Sequence, residues 1–103
     1  MAYMDMSDET LVLLTLAGND SAYEALVRRH EKSVRAAAYA VIRNPHIAED
    51  ATQDAFCAAW IRLNMLREPE KFGAWVGRIA RNCAANMAGR FRNYLSLEDI
   101  EYL

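Results

Sequence analysis

The 103-residue chain has little that breaks a helix: two prolines and four glycines. Long stretches are therefore free to be helical. Alternating runs of Val, Ile and Thr are absent, which removes the usual strand signal. Cysteine is equally scarce. Cys57 and Cys83 form no CxxC pair and no Cys/His cluster, so a zinc site is not indicated. Both fall on apolar faces of predicted helices and are expected to be buried as small hydrophobes. The longest apolar run, "LVLLTLA", is far too short to cross a membrane. Residues 1–6 lack the basic start and long apolar core of a signal peptide. A cytoplasmic protein with no membrane partner is the expectation.

What the chain does contain is segregated. Hydrophobic residues make up 53% and charged residues 25%, which fits one packed domain. The formal net charge is only −2, yet the two signs are kept apart. Residues 1–20 hold Asp5, Asp8, Glu9 and Asp20 and no base. Residues 71–93 hold Lys71, Arg78, Arg81, Arg90 and Arg92 and no acid. A basic stretch can be a solvated helix face, but this asymmetry also points to a polyanionic partner at one end.

Turn and cap signals predict an all-α compact bundle of about four helices. Ser7 or Asp8 starts a short helix that ends at "AGND". A second helix runs to about Arg43, with apolar positions Tyr23, Leu26, Val27, Val34, Ala38, Val41 and Ile42. "RNP" stops it, because a residue before proline is pushed out of the α region. The third helix opens at Pro45 and continues through "HIAEDATQDAFCAAWIRL", with Ile47, Ala51, Ala55, Ala58 and Ala59 on one side. A loop, "NMLREPE", leads to a fourth helix from Pro69. Its expected apolar stripe is Phe72, Val76, Ile79, Cys83 and Met87, with Trp75 on the edge; Lys71, Arg78, Arg81 and Asn82 take a different side.

Catalysis finds no support. His30 and His46 lie in different elements, without a nucleophile motif, and His30 reads as a packing residue at an apolar border. Gly73, Gly77 and Gly89 fall inside a helix and cannot form a phosphate loop after a strand. Glu49, Asp50 and Asp54 have no His partner and read as a solvated or protein-binding face rather than a metal cluster. No cofactor is expected. The remaining signal is for binding: cations for phosphates, and Asn side chains with paired donor and acceptor groups for a base edge.

Two stretches carry a family resemblance. "HIAEDATQDAFCAAWIRL" resembles the "AED…Q…F…W" helix of region 2 in extracytoplasmic-function sigma factors of the sigma-70 family. "FGAWVGRIARNCAANMAGR" is similar to that family's "F-x-AWL-x-RIARN" helix, and "SDETLVLLTLAGNDSAYEALVRRH" to its opening. The likeness covers roughly residues 7–92. It implies a bacterial transcription initiation factor that binds the RNA polymerase β′ clamp helices and recognises the −10 promoter element as an unpaired strand. Carried over by position, Asp50, Gln53, Asp54 and Trp60 would meet the polymerase. Lys71, Arg78, Arg81, Asn82 and Asn86 would face promoter DNA. The loop Asn64, Met65, Leu66, Arg67 and Glu68 would match the specificity loop that captures a flipped base.

The chain departs from the pattern at Gly77, where the family has an aromatic residue, and at Asn86, where it has Asp. Residues 1–94 would form the region 2 domain, a short N-terminal helix plus a three-helix core. Residues 95–103 would start an inter-domain linker, with region 4 absent. An anti-sigma factor masking both faces would be a further partner. The alternative is a helical protein-interaction module, such as an adaptor, without a nucleic-acid role.

Overall fold

The computed structural model describes residues 2–101, with side chains through residue 90 and at Arg92. A 3-10 turn, Tyr3–Asp5, precedes four α-helices: α1 (Asp8–Leu16), α2 (Asp20–Ile42), α3 (Pro45–Ile61) and α4 (Phe72–Glu101). Two further 3-10 turns, Leu63–Met65 and Pro69–Lys71, fill the α3–α4 connection. The last three helices pack mutually, and α1 lies against α2. The architecture is the expected all-α bundle.

The first three helix starts each have a local cause. The Ser7 hydroxyl accepts from the Thr10 amide at 3.1 Å. The Asn19 side chain accepts from Ala22 at 3.1 Å. The Asn44 side chain accepts from His46 and Ile47 at 3.0 and 3.2 Å. Each satisfies amides that have no partner within their own helix. The stops are equally local. Gly18 adopts φ +104, a conformation strained for any side chain. Arg43 closes α2 in the left-handed region, φ 56, and extended Asn44 then leads into Pro45 at the start of α3.

Packing follows from small residues at the seams. α3 buries Ala48, Ala51, Ala55 and Ala59, and α4 buries Ala80 and Ala84. Short side chains let the helix backbones approach closely, and larger residues fill the spaces between them. Leu11, Val12, Leu26, Val34, Phe72 and Val76 are all essentially inaccessible. Each such burial is worth about 1.5–3 kcal/mol. The buried Thr15 and Thr52 hydroxyls donate to the Leu11 and Ala48 carbonyls at 2.8 and 2.7 Å. No buried side-chain polar atom among the described residues lacks a partner.

Several boundaries and faces differ from expectation. The buried line of α4 is Phe72, Val76, Ala80 and Ala84; Ile79, Cys83 and Met87 are only half-buried on its flank. Hydrophobicity pointed to the larger residues, but close approach of α2 and α3 selects the alanines. Val41 is exposed rather than core, while Ile42 beside it packs against the core. Helix α3 stops at Ile61, and Pro69 opens a 3-10 turn rather than α4 itself. Gly77 and Gly89 do not interrupt α4, which continues as helix through Glu101 where a linker or short turn was expected. Residues 102 and 103 of that expected linker lie outside the described residues.

The alanine seams yield a direct test. Ala55 is fully buried, so Ala55→Leu should lower unfolding free energy by about 1–3 kcal/mol through overpacking, measured by urea denaturation.

Candidate nucleic-acid interface

Phe72 anchors the start of α4 with no exposed surface. Tyr23 and His30 of α2 meet its ring edge-on, at centroid distances of 6.2 and 5.6 Å, and Trp75 lies tilted against it at 6.2 Å. With Phe72, Val76, Ala80 and Ala84 turned inward, helical spacing turns Arg78 and Asn82 outward, with Arg81 and Asn86 at neighbouring positions. All four are exposed, as is Lys71. Arg81 folds back along the helix: its Nη1 would lie 3.8 Å from a Cβ at Gly77. The missing side chain at Gly77 opens the space beneath that guanidinium.

The α3–α4 connection folds over the same end of α4. Met65, Leu66, Arg67 and Glu68 join Lys71, Ala74, Trp75 and Arg78 around a cleft of about 370 Å³. The structure thus brings together four of the five expected loop residues and two of the five expected α4 cations and amides. Asn64 lies apart, lining a shallow depression with Leu16, Trp60 and Ile61. Arg81, Asn82 and Asn86 continue along α4 beyond the cleft. Ala74 and Trp75 were missed as lining residues. Their signal was present, since they sit three and four positions after Lys71 and before Arg78.

Lys71 Nζ is 3.0 Å from Glu68 Oε2. That hydrogen bond, and then the carboxylate charge, hold the ammonium above the usual lysine range. Both groups are exposed, so the pair contributes little to stability. It does place the Lys71 ammonium beside Glu68 at the cleft.

A second surface lies on α3. Asp50, Gln53 and Asp54 are exposed, and Trp60 is 43% exposed. Cys57 and Ile61 share their face; Ile61 is 76% exposed. The face runs from acidic at the helix start to apolar at its end. Cys57 and Ile61 escaped the sequence reading although the 50, 54, 57, 61 spacing is helical. The adjoining Glu49 is occupied differently: a hydrogen bond from Arg35 of α2 holds its carboxyl below the usual range. The ring of Tyr23 meets Trp60 edge-on at 4.8 Å, and its hydroxyl donates to the Phe56 carbonyl. Burial pushes that hydroxyl's pKa up.

Exposure of Cys57 corrects the expectation that both cysteines are buried. The α3 core face is taken by residues 48, 51, 52, 55, 56 and 59, which leaves position 57 outside. Cys83 is half-buried. Among the described residues, no group of three His, Cys, Asp or Glu is placed to hold a metal, and no helix is long and apolar enough to cross a membrane. A larger cavity, about 590 Å³, lies between the N-terminal turn and α2, lined by Tyr3, Met4, Ser21, Glu24, Ala25, Arg28 and Arg29. It contains none of the expected site residues.

The sequence model of sigma-70 region 2 matches residues 26–95. The chain belongs to the sigma-70 region 2 family. Its extracytoplasmic-function character is carried by the relatives. This region 2 chain is 28% identical over 79 residues to the ECF RNA polymerase sigma factor SigW of Bacillus subtilis, covering 77% of this chain and 42% of the relative. It is 29% identical over 98 residues to the ECF RNA polymerase sigma factor SigM of Mycobacterium tuberculosis, covering 93% and 50%. A protein of Xanthomonas campestris pv. campestris named "Probable RNA polymerase sigma factor RfaY" is 40% identical over 68 residues, 66% of this chain and 17% of the relative. The region 2 chain therefore spans half or less of each of these relatives. No solved structure matches it significantly.

The two thiols of the region 2 domain should differ in reactivity. Burial first, and the Asp54 carboxylate second, push the Cys83 thiol up. A raised pKa leaves less thiolate at any pH below it, so Cys83 alkylates more slowly than exposed Cys57, by about tenfold or more. Time-resolved iodoacetamide labelling read by peptide mass spectrometry at mildly alkaline pH checks the order.

Proposed function

We propose that this region 2 domain acts in bacterial transcription initiation, binding the β′ clamp helices of RNA polymerase through α3 and an unpaired −10 promoter strand through α4 and the 65–68 loop. The observation that carries the reading is the cleft shared by Met65–Glu68, Lys71, Trp75 and Arg78. It combines an aromatic ring with cations at the one place where the loop meets the basic helix. A base leaving its stack costs a few kcal/mol. Stacking on an aromatic side chain returns about 1–3 kcal/mol, and Arg78 and Lys71 attract the flanking phosphates. Arg81, Asn82 and Asn86 would track the adjoining nucleotides along α4. No bond is made or broken in this role; binding energy stabilises the open strand.

The α3 face supports the second half of the reading. Asp50, Gln53 and Asp54 offer acceptors to a basic helix, and Trp60 supplies an apolar anchor next to them. Charge of this kind speeds and orients association, while the aromatic anchor slows dissociation.

The two faces can be tested separately. With the chain assembled on core polymerase, Arg78→Ala together with Asn82→Ala should lower affinity for a single-stranded −10-like oligonucleotide by about fivefold or more, with the circular dichroism melt unchanged. Equal affinity for that oligonucleotide and a scrambled one, in the unaltered protein, would sink the DNA reading. Asp50→Arg should weaken binding to a β′ clamp-helix fragment by about tenfold, read by titration calorimetry, and leave the oligonucleotide preference of any complex that forms intact.

A further inference from the structure

The ring of His30 fills the space where a side chain at position 73 would begin. A Cβ on Gly73 would lie 2.7 Å from His30 Cε1 and 2.8 Å from Nδ1, well inside van der Waals contact. The ring has little room to retreat. Its Nε2 is 2.8 Å from Asp8 Oδ2, and the Phe72 ring meets it edge-on. Asp8 is itself fixed, because Arg29 Nη1 donates to its other oxygen at 2.9 Å. The Arg29 Nη2 donates to the carbonyls of Tyr3 and Met4 at 3.3 and 3.1 Å. A continuous set of contacts thus runs from the N-terminal turn and the start of α1, through two adjacent residues of α2, to the first turn of α4.

That first turn is where the cleft is built. Phe72 and Gly73 face the clamp, while Lys71, Ala74 and Trp75 line the cleft. Any displacement of the turn moves the aromatic wall relative to the 65–68 loop. We propose that Asp8 and His30 form a positioning clamp that sets the first turn of α4, and so the width of the base-binding cleft. Neither residue lines the cleft; both act through Phe72 and Gly73. This assignment rests on the reading that the cleft takes an unpaired base.

A cycle of His30→Ser, Gly73→Ala and the double variant tests it, each assembled with core polymerase. The readouts are the affinity ratio for −10-like over scrambled single strands and amide hydrogen exchange at residues 71–76. Removing the ring leaves a gap, and adding a methyl to Gly73 pushes against the ring. Each single variant should cut the ratio by about fivefold and raise exchange in the 71–76 segment. The double variant, with the methyl set partly into the vacated space, should lie closer to the unaltered protein than either single. Binding to core polymerase through α3 should stay unchanged. If Gly73→Ala fails to fold, His30→Ser alone decides. An unaltered ratio and unaltered exchange in His30→Ser overturn the clamp, as do additive losses in the double variant. Should the unaltered protein fail to discriminate between strands, the base-capture reading falls, and hydrogen exchange alone then judges whether His30 holds the turn.

Discussion

The burial of Phe72 is the interaction on which the remaining geometry depends. Its ring sits where α2 meets the start of α4, ringed by Tyr23, His30 and Trp75. One fully buried aromatic fixes the rotation of a helix about its own axis, because every later side chain follows at about 100° per residue. Arg78 and Asn82 face outward because they lie opposite the inward line that Phe72 begins and Val76, Ala80 and Ala84 continue. The alanine line at positions 80 and 84 continues that constraint along the helix. A different inward residue would rotate the cations under α2 or α3.

The same aromatic cluster joins the two candidate surfaces. Trp60, on the α3 face, touches Tyr23; Tyr23 touches Phe72; Phe72 touches Trp75 at the cleft. Packed rings transmit displacement poorly in small amounts and well in discrete steps, since a close-packed interior has few intermediate arrangements. The two surfaces thus share a rigid core, which suits a domain proposed to hold a protein with one side and a strand with another. Of the ion pairs at these surfaces, Lys71 with Glu68 is exposed and Arg35 with Glu49 half-exposed, and such pairs add little to stability. Their effect is to set local charge.

Much of the fold was legible in particular residues. Ser7, Asn19 and Asn44 are strong cap formers, Gly18 takes a backbone angle few other residues accept, and Pro45 suits a first helical turn. The exposure of Arg78, Arg81 and Asn82 followed from helical spacing relative to the apolar stripe that starts at Phe72. Misreadings occurred where a residue's size and its burial part company. Ile79 and Met87 were expected in the core ahead of Ala80 and Ala84, yet two helix backbones at close range admit a methyl and exclude longer chains. Cys57 was expected inside, but the buried arc of α3 runs through residues 48, 51, 52, 55, 56 and 59, and helical spacing puts position 57 on the opposite side.

By itself the amino-acid order determined the helices, the starts of the first three and the identity of the basic face, because capping, proline geometry and 3.6-residue periodicity are local. Tertiary structure alone decided that residues 65–68, in the connection just before α4, fold back to close one cleft with Trp75 and Arg78. It also decided that His30 stands over Gly73. Both depend on how three helices cross. Crossing geometry is set by the sum of many side-chain contacts between segments far apart in the chain, and no local pattern encodes that sum.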